Sequence, residues 1–300
     1  MTPDQLRTFA IVAAHKNISK AATELHLSQP AVSGQLRLLT ESFGEVLYHR
    51  DGRGISLTPA GKQLFVYAER VRFAYEKALN LRDAWNNESG GVLRIGATTT
   101  PASYLLPYLV VKFQKQFPNV QIAMRSGSTA AIVRQLNEFD IGFIEGALPK
   151  DIPADTVVMP WFTDQIVAIA PPQHPLASGR TDISLETLAE YPLIQREPES
   201  GMRQMIEAIF ASRDIKVNVA LELANMEGVK EAVRAGMGIG FVSNMGMRDG
   251  DPTLTILPLA DEVEFRRQFR VLITHHEVAS HICRAFLALS IAKNDRNAAD

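Results

Sequence analysis

The sequence predicts a protein in two parts. A small helical N-terminal domain, closed by a β-hairpin, leads through a long helix into a larger α/β region built as two lobes. Three observations carry this prediction. The chain has 300 residues, more than one hydrophobic core comfortably organises. Apolar residues in the first sixty positions recur at helical spacing. From Val92 onward, strand-like and helix-like runs alternate, as they do in parallel sheets covered by helices.

Composition narrows the function classes. Apolar residues make up 46% and charged residues 21%, an ordinary soluble globular balance. The formal net charge is −2, yet residues 1–85 carry 11 Lys/Arg against 8 Asp/Glu, and the remainder carries 20 against 25. The cationic surplus is therefore N-terminal and modest. Nucleic-acid binding there would depend on where the cations lie and on pairing of subunits. A single cysteine, Cys283, excludes an intramolecular disulfide framework and fits a reducing compartment. Met1-Thr2-Pro3-Asp4-Gln5 lacks the features of a secretory leader, and no apolar run is long enough to span a bilayer. A cytoplasmic protein is expected, with no membrane partner.

The first helix starts at Thr2, with Pro3 in the first turn and Gln5 placed for a capping box. Leu6, Phe9, Ala10 and Ala13 form its apolar face. Ser19 is the expected cap of a second helix through Leu25, whose Ala21-Ala22 pair lets another helix approach closely. His26-Leu27-Ser28 is a tight connection, and Ser28 can cap a third helix. There Val32, Leu36 and Leu39 pack inward, leaving Gln29, Pro30, Ser33, Gly34 and Arg37 outside near the N-terminal end. That end of a recognition helix enters the major groove. Ser and Gln can meet base edges or phosphates, Arg can fork onto guanine, and Pro or Gly can approach a thymine methyl. Two β-capable runs around Asp51-Gly52 form a hairpin, or wing, with Arg50 and Arg53 set for phosphate contact. Solvated turn arginines are the alternative.

These residues resemble the LysR-type transcriptional regulators. The likeness runs from Phe9 to Gly61 through Ala21-Ala22, Leu25, Ser28-Gln29-Pro30-Ala31-Val32-Ser33, Gln35-Leu36, Leu39, Phe43-Gly44, Leu47, Arg50 and Leu57-Thr58-Pro59-Ala60-Gly61. It implies that Ser28, Gln29, Pro30, Ser33, Arg37, Arg50 and Arg53 face promoter DNA. Gly34 departs from the family, where a larger side chain is frequent, and offers close approach only.

Thr58-Pro59 opens a long helix reaching about residue 87. Leu64, Val71, Ala78 and Trp85 recur every seven residues, with Tyr67, Ala74 and Leu81 between them, giving a seam of coiled-coil type. Packing against its own chain would also cover this stripe. A second copy covers it and pairs two recognition helices. The resemblance implies the second reading, a homodimer assembling to a tetramer, with RNA polymerase a possible further partner. The expected domains are a winged helix-turn-helix over 1–58, a dimerisation helix and hinge over 59–91, and an effector-binding domain over 92–300.

In the last domain, strands are expected over Val92–Ala97, Val120–Met124, Ile141–Ile144, Ile166–Ala170, Leu193–Ile194, Val217–Leu223 and Ile239–Val242. Helices are expected over Tyr104–Gln116, Ala130–Glu138, Leu185–Glu190, Gly201–Ala211 and Gly228–Ala235. The resemblance implies a periplasmic-binding-protein-like fold, with lobe I over 92–161 and 266–300 and lobe II over 162–265. The last helix is expected around Ala279–Lys293. Ligands of open α/β sheets sit at strand ends and helix N-termini. Three hydroxyl-rich turns qualify: Thr98-Thr99-Thr100, Ser126-Gly127-Ser128-Thr129, and the segment Gln195-Arg196 through Ser200-Gly201-Met202-Arg203. With Glu145, the residues Thr98, Thr99, Thr100, Ser128, Thr129, Arg196, Ser200, Gly201, Met202 and Arg203 are expected to hold a small anionic effector. Arg196 could equally pair with Glu145 or Glu197. Within the family, Asp140 through Gly146 and the Arg196 to Arg203 pattern resemble regulators of carbon-fixation operons and of sulfur-oxyanion response. Met202 and Glu199 depart from that pattern, favouring an effector with more than a bare oxyanion.

No catalytic constellation, metal site or cofactor is expected. His275-His276 lacks further ligands, Cys283 lacks a resolving cysteine, and Gly236 through Gly240 lacks dinucleotide spacing. Asp164 and His174 lack a nucleophile motif. An enzyme on an α/β scaffold and a solute-binding transport component are the competing classes. The winged domain weighs against both.

Overall fold

A computed structural model describes residues 1–51, 54–86, 91–150, 152–153, 155–179, 182–247, 251–260, 265–274 and 279–292, without the side chains of 77 and 80–86. The chain divides into two compact units, Met1–Glu88 and Ser89–Asp300.

The first unit contains α1 (Pro3–His15), α2 (Ile18–Leu25), α3 (Gln29–Phe43), β1 (Tyr48–Asp51), β2 (Gly54–Leu57) and α4 (Pro59–Asn86). Thr2 and Gln5 form the expected capping box on α1. The second helix starts earlier than Ser19: Asn17 caps it, its Oδ1 accepting from the Lys20 N–H at 3.0 Å. Asn17 prevails because Lys16 takes a left-handed turn at φ 50°, which ends α1 and swings the next side chain into capping position. Phe9, Ala10, Val12, Ala21, Val32, Leu36 and Leu39 close a three-helix core, and Ala21 allows the close approach its size suggests. β1 and β2 pair antiparallel from Tyr48↔Leu57 to Asp51↔Gly54. The tip, residues 52 and 53, lies outside the described residues, and Arg53 with it. Thr58 caps α4, its Oγ1 accepting from Gly61 N–H at 3.0 Å and donating to the Val46 carbonyl at 2.6 Å.

The second unit is one nine-stranded sheet among the described residues. Its elements are β3 (Gly91–Thr98), α5 (Leu106–Gln116), β4 (Val120–Gly127), α6 (Thr129–Arg134), β5 (Ile141–Glu145), β6 (Thr156–Ala170), α7 (Leu185–Ala189), β7 (Leu193–Arg196), α8 (Gly201–Ser212), β8 (Val219–Leu223), α9 (Met226–Arg234), β9 (Ile239–Ser243), β10 (Thr255–Leu257), β11 (Arg266–Thr274) and α10 (His281–Ala292). The order is β4-β3-β5-β11-β6-β9-β7-β8, with β10 beside β6. At each end the strands are parallel, as the alternation predicts: β4, β3 and β5 in one lobe, and β9, β7 and β8 in the other. The lobes are joined by β6 and β11, long and antiparallel to their neighbours, so the sheet is mixed at its centre.

Each lobe has its own core, and Ile132, Phe139, Ile144 and Leu272 form a smaller cluster beside them. Phe113, Phe143, Trp161, Phe269 and Phe286 anchor one lobe, and Phe210, Phe241, Phe265, Ile169 and Val233 the other. The first half of β6 was not expected as a strand because Pro160 interrupts it. The structure accommodates Pro160 with a bulge: Phe162 pairs with Phe269 and Pro160 with Arg270, skipping Trp161. The skipped Trp161 packs against Phe143 with ring centroids 4.5 Å apart and planes tilted by 59°, and its indole donates to the Ser290 carbonyl at 3.1 Å. The strand is therefore pinned where it passes from one lobe to the other. Ahead of α5, Pro101–Leu105 forms a π-helical turn rather than regular helix.

Candidate functional site

In the first unit, Ser28 caps α3, accepting from the Ala31 N–H at 3.3 Å, and this aims the helix N-terminus outward. Gln29 is exposed beside Ser19. Pro30, Ser33 and Arg37 come together with Arg50 of β1 along one open groove of about 650 Å³, completed by Gly34, Thr40, Glu41, Val46 and Tyr48. Arg37 is 70% exposed and pairs with Glu41 at 2.8 Å, a surface interaction that a phosphate or base can replace at little cost. A Cβ built on Gly34 meets nothing within 4 Å. The groove therefore presents hydroxyl, guanidinium and apolar surface with open space at its floor, the mixture a major-groove face requires.

Along α4 the expected seam divides. Leu64 does not face outward: it is buried with Ala68 against the three-helix core. The first turns of α4 serve their own domain because Gly61 lets the helix backbone lie against Leu47; a Cβ there would stand 1.9 Å from the Leu47 carbonyl oxygen. Further along, Tyr67 is 62% exposed, Val71 half-buried, and Ala74 and Ala78 exposed. The Leu81 and Trp85 side chains lie outside the described residues. Asn87, the expected hinge beyond Trp85, and His275-His276 lie outside them too.

In the second unit, the expected effector residues fall into three groups. The first is buried where β3 and β5 end. Thr98 is 1% exposed and its hydroxyl has no partner. Thr99 is half-buried, and Thr100 is buried. Glu145 ends β5 at 7% exposure, and its carbonyl accepts from the Thr129 hydroxyl at 2.8 Å. Ser128 caps α6 through the Ala131 N–H. In the facing lobe, Ser200 and Gly201 begin α8, and the buried Ser200 hydroxyl does not cap that helix. A Cβ on Gly201 would lie 3.8 Å from the Glu145 carbonyl oxygen, so the start of α8 meets the end of β5.

The last group is packed or already paired within its own lobe. Met202 is packed in the core of its lobe, because the second position of α8 points at the sheet. Arg203 is bound by the Arg196 carbonyl at 2.8 Å, Glu222 at 3.0 Å and Glu207 at 2.7 Å. Arg196 forks onto Glu197 at 2.7 and 2.8 Å and reaches the Ala224 carbonyl at 3.3 Å. Of its two expected partners, adjacent Glu197 holds it.

The buried cation where the lobes join is a residue the sequence reading passed over. Arg267 is 4% exposed at the lobe-joining start of β11. It pairs with Asp164 of β6 at 2.7 Å, donates to Thr100 Oγ1 at 2.9 Å and stands 3.2 Å from Glu145 Oε2. Asp164 in turn accepts from Ser243 of β9 at 2.7 Å. Neither Arg267 Nη1 nor Glu145 Oε2 has a hydrogen bond, and both amide atoms of buried Gln195 on β7 also lack one. Buried polar atoms are seldom left without one, and here the Arg267–Glu145 contact is an ion pair only. The signal was available: Arg267 shares its strand face with Phe269, Val271 and Ile273, and an arginine in an inward register needs a partner.

A second link crosses the lobes nearby. Tyr104, on the π-helical turn, donates to Glu227 of α9 at 3.1 Å, and Glu227 pairs with Lys230 at 2.7 Å. Burial alone would raise the Glu227 pKa, but the hydrogen bond and charge of Lys230, with Tyr104, bring it below the ordinary carboxylate value. Among the described residues no group of three or more His, Cys, Asp or Glu could hold a metal ion, and no helix is long and apolar enough to cross a membrane.

Residues 3–62 match the family model for the bacterial regulatory helix-turn-helix protein, lysR family, and residues 86–294 match the LysR substrate binding domain. The chain is 30% identical over 293 residues to a probable RuBisCO transcriptional regulator of Synechocystis, covering 95% of this chain and 84% of that one. It superimposes on the regulatory domain of CcmR from Synechocystis PCC6803, solved in complex with 2-PG, with a TM-score of 0.62 and 29% identity over 67% of this chain and 96% of that one. Full-length CbnR, solved with its target DNA, shares the fold over 98% of this chain and 99% of that one, at a TM-score of 0.72 and 19% identity.

Proposed function

The chain belongs to the LysR family of bacterial transcriptional regulators, and from that premise we propose that its promoter binding or activation is set by a small anionic effector between the two α/β lobes. It is a DNA-binding regulator and not an enzyme. The observation that carries the effector reading is the start of α8, uncapped by its Ser200 hydroxyl, set against the end of β5. Buried Glu145 stands at that strand end, ion-paired with Arg267 at 3.2 Å. Free main-chain N–H groups and the dipole at such a start favour negative charge.

DNA contact falls to Ser28, Gln29, Pro30, Ser33 and Arg37 of α3, with Arg50 and Arg53 of the wing. The exposed Tyr67, Ala74 and Ala78, with half-buried Val71, take the α4 of a second copy, which spaces two recognition helices for a two-fold operator. Two dimers associate into a tetramer in the cytoplasm. Effector binding changes how far the lobes close, and so the spacing of the DNA-binding pairs, the bend they impose and the recruitment of RNA polymerase.

The test is footprinting of the full chain on DNA upstream of its own gene at moderate salt, repeated with orthophosphate, sulfate or 2-PG, with thermal stability measured in parallel. A sequence-specific footprint that one of these anions alters supports the reading. Anions that change neither the footprint nor the melting temperature overturn the effector assignment.

A further inference from the structure

Resting on the reading that lobe closure governs promoter binding, we infer that the Tyr104–Glu227 hydrogen bond is a latch between the lobes, and that making or breaking it sets how far they close. The latch belongs to a closed circuit of polar contacts. Tyr104 donates to Glu227 at 3.1 Å, and Glu227 pairs with Lys230 of the same helix at 2.7 Å. Lys230 donates to the Gly246 carbonyl at 2.9 Å, in the short turn Asn244–Gly246 that follows Ser243. Ser243 donates to Asp164, Asp164 pairs with Arg267, and Arg267 donates to Thr100, at 2.7, 2.7 and 2.9 Å. Thr100 immediately precedes the π-helical turn that carries Tyr104, which closes the circuit.

The circuit passes between the lobes twice, and the two crossings differ. Arg267 and Asp164 are register partners on β11 and β6, the strands that join the lobes, and both are almost wholly buried. Ser243, Thr100 and Lys230 are buried too. Breaking any of these links strands a buried polar group, so that side of the circuit acts as a fixed pivot. At the other crossing the Glu227 side chain is 63% exposed and Tyr104 is half-buried. Water can replace the lost partner there, so this bond opens at little cost, as a switch between two populated states requires. The packing around it is reciprocal. Tyr104, ahead of α5, packs against the core of the α9 lobe, and Met245, beside Gly246, packs against the core of the α5 lobe. Gly246 permits the approach: a Cβ there would stand 3.1 Å from the Tyr104 hydroxyl and 2.8 Å from Met226 Sδ. The turn itself is of a rare kind that concentrates at functional sites, closed by the Leu106 N–H on the Pro101 carbonyl. Because Thr100 joins the pivot to the end of β3, a ligand that moves this strand end shifts the same turn that presents Tyr104.

The test is hydrogen exchange on the full-length protein, with footprinting upstream of its own gene in parallel and no ligand added to either. Tyr104→Phe removes the hydroxyl alone and keeps the aromatic group packed. It should speed exchange about three- to tenfold in peptides from both the Pro101–Leu105 turn and the start of α9, as loss of one hydrogen bond warrants, with α10 unchanged. Glu227→Ala should match it at the turn, and combining the two should add nothing there. Glu227→Gln keeps an acceptor for Tyr104 and should leave the turn near the wild-type rate. The Tyr104→Phe footprint should also change in extent or in its cleavage-sensitive positions. Exchange that rises at the turn only, or at neither segment, or that is as fast in Glu227→Gln as in Glu227→Ala, overturns the latch. Coupled exchange with an unchanged footprint overturns its regulatory role. The effector reading can fail separately, through anions that never act, because neither readout here uses a ligand.

Discussion

Gly34 offers a direct test of which face of α3 meets DNA. It is the sixth residue of a fifteen-residue helix, and a Cβ built there touches nothing within 4 Å. Gly34→Ala therefore adds a methyl without a clash. Glycine inside a helix is less stable than alanine by about 1 kcal/mol, partly because it leaves the unfolded chain more freedom. The N-terminal unit should gain that amount, equivalent to about 4–8 °C in the melting temperature of a domain of its size. The same methyl enters the groove lined by Pro30, Ser33, Arg37 and Arg50. Operator affinity should fall about tenfold if a base edge approaches there, the usual size of one lost base contact. Hydrogen exchange followed on peptides from residues 1–58 isolates this unit's stability, and fluorescence anisotropy reads operator binding. Gly61→Ala is the control, because its Cβ would stand 1.9 Å from the Leu47 carbonyl oxygen, a main-chain atom. A loss of about 1–3 kcal/mol is expected there. Greater protection with unchanged operator affinity in Gly34→Ala would refute this face as the groove reader. Lower protection would refute the open space around Gly34.

Three other outcomes are expected. Arg267→Met leaves Glu145 and Asp164 buried without their cation and should cost about 3–5 kcal/mol in urea unfolding; a variant as stable as wild type would show that the trio is not a working ion-pair network. Burial lowers the His174 pKa from 6.5. The unfolded chain then takes up the proton more readily, so the contribution of His174 is present above pH 6.5 and is lost as pH falls below it. His174→Gln should flatten that part of the stability profile, and an unchanged profile counts against the assignment. Tyr67→Glu, on the exposed face of α4, should shift sedimentation from dimer towards monomer with an unchanged circular dichroism spectrum; undisturbed dimers would place the subunit contact elsewhere.

The N-terminal unit was nearly all legible in the sequence, since its signals are local. Apolar spacing, Ser28 before Pro30 and the hairpin each act within one or two turns of chain, and among α1 to α3 the structure departs at Asn17, which caps α2 three residues before Lys20. The alternation of strands and helices likewise identified both lobes. What escaped reading lay in contacts distant along the chain. Pro160 hid half of β6 because the bulge that accommodates it depends on the register against β11, more than a hundred residues away. Leu64 looked like part of a subunit seam because heptad spacing cannot say which neighbour covers a side chain, and here the three-helix core does.

The effector cleft shows the same division most sharply. Residue types and helix starts marked Thr98, Thr100, Glu145 and Ser200 as candidates, since hydroxyls ahead of helices are written in consecutive residues. They could not reveal that Met202 packs into the core and Arg203 is already paired, or that Arg267 is the cation facing Glu145. Those outcomes follow from helix phase and sheet order. Position two of α8 points at the core, and strands β5, β6 and β11, far apart in the chain, become neighbours only when the sheet is assembled. Local chemistry thus names the family and the elements, while burial, which sets whether a charge must find a partner, exists only once the chain has folded.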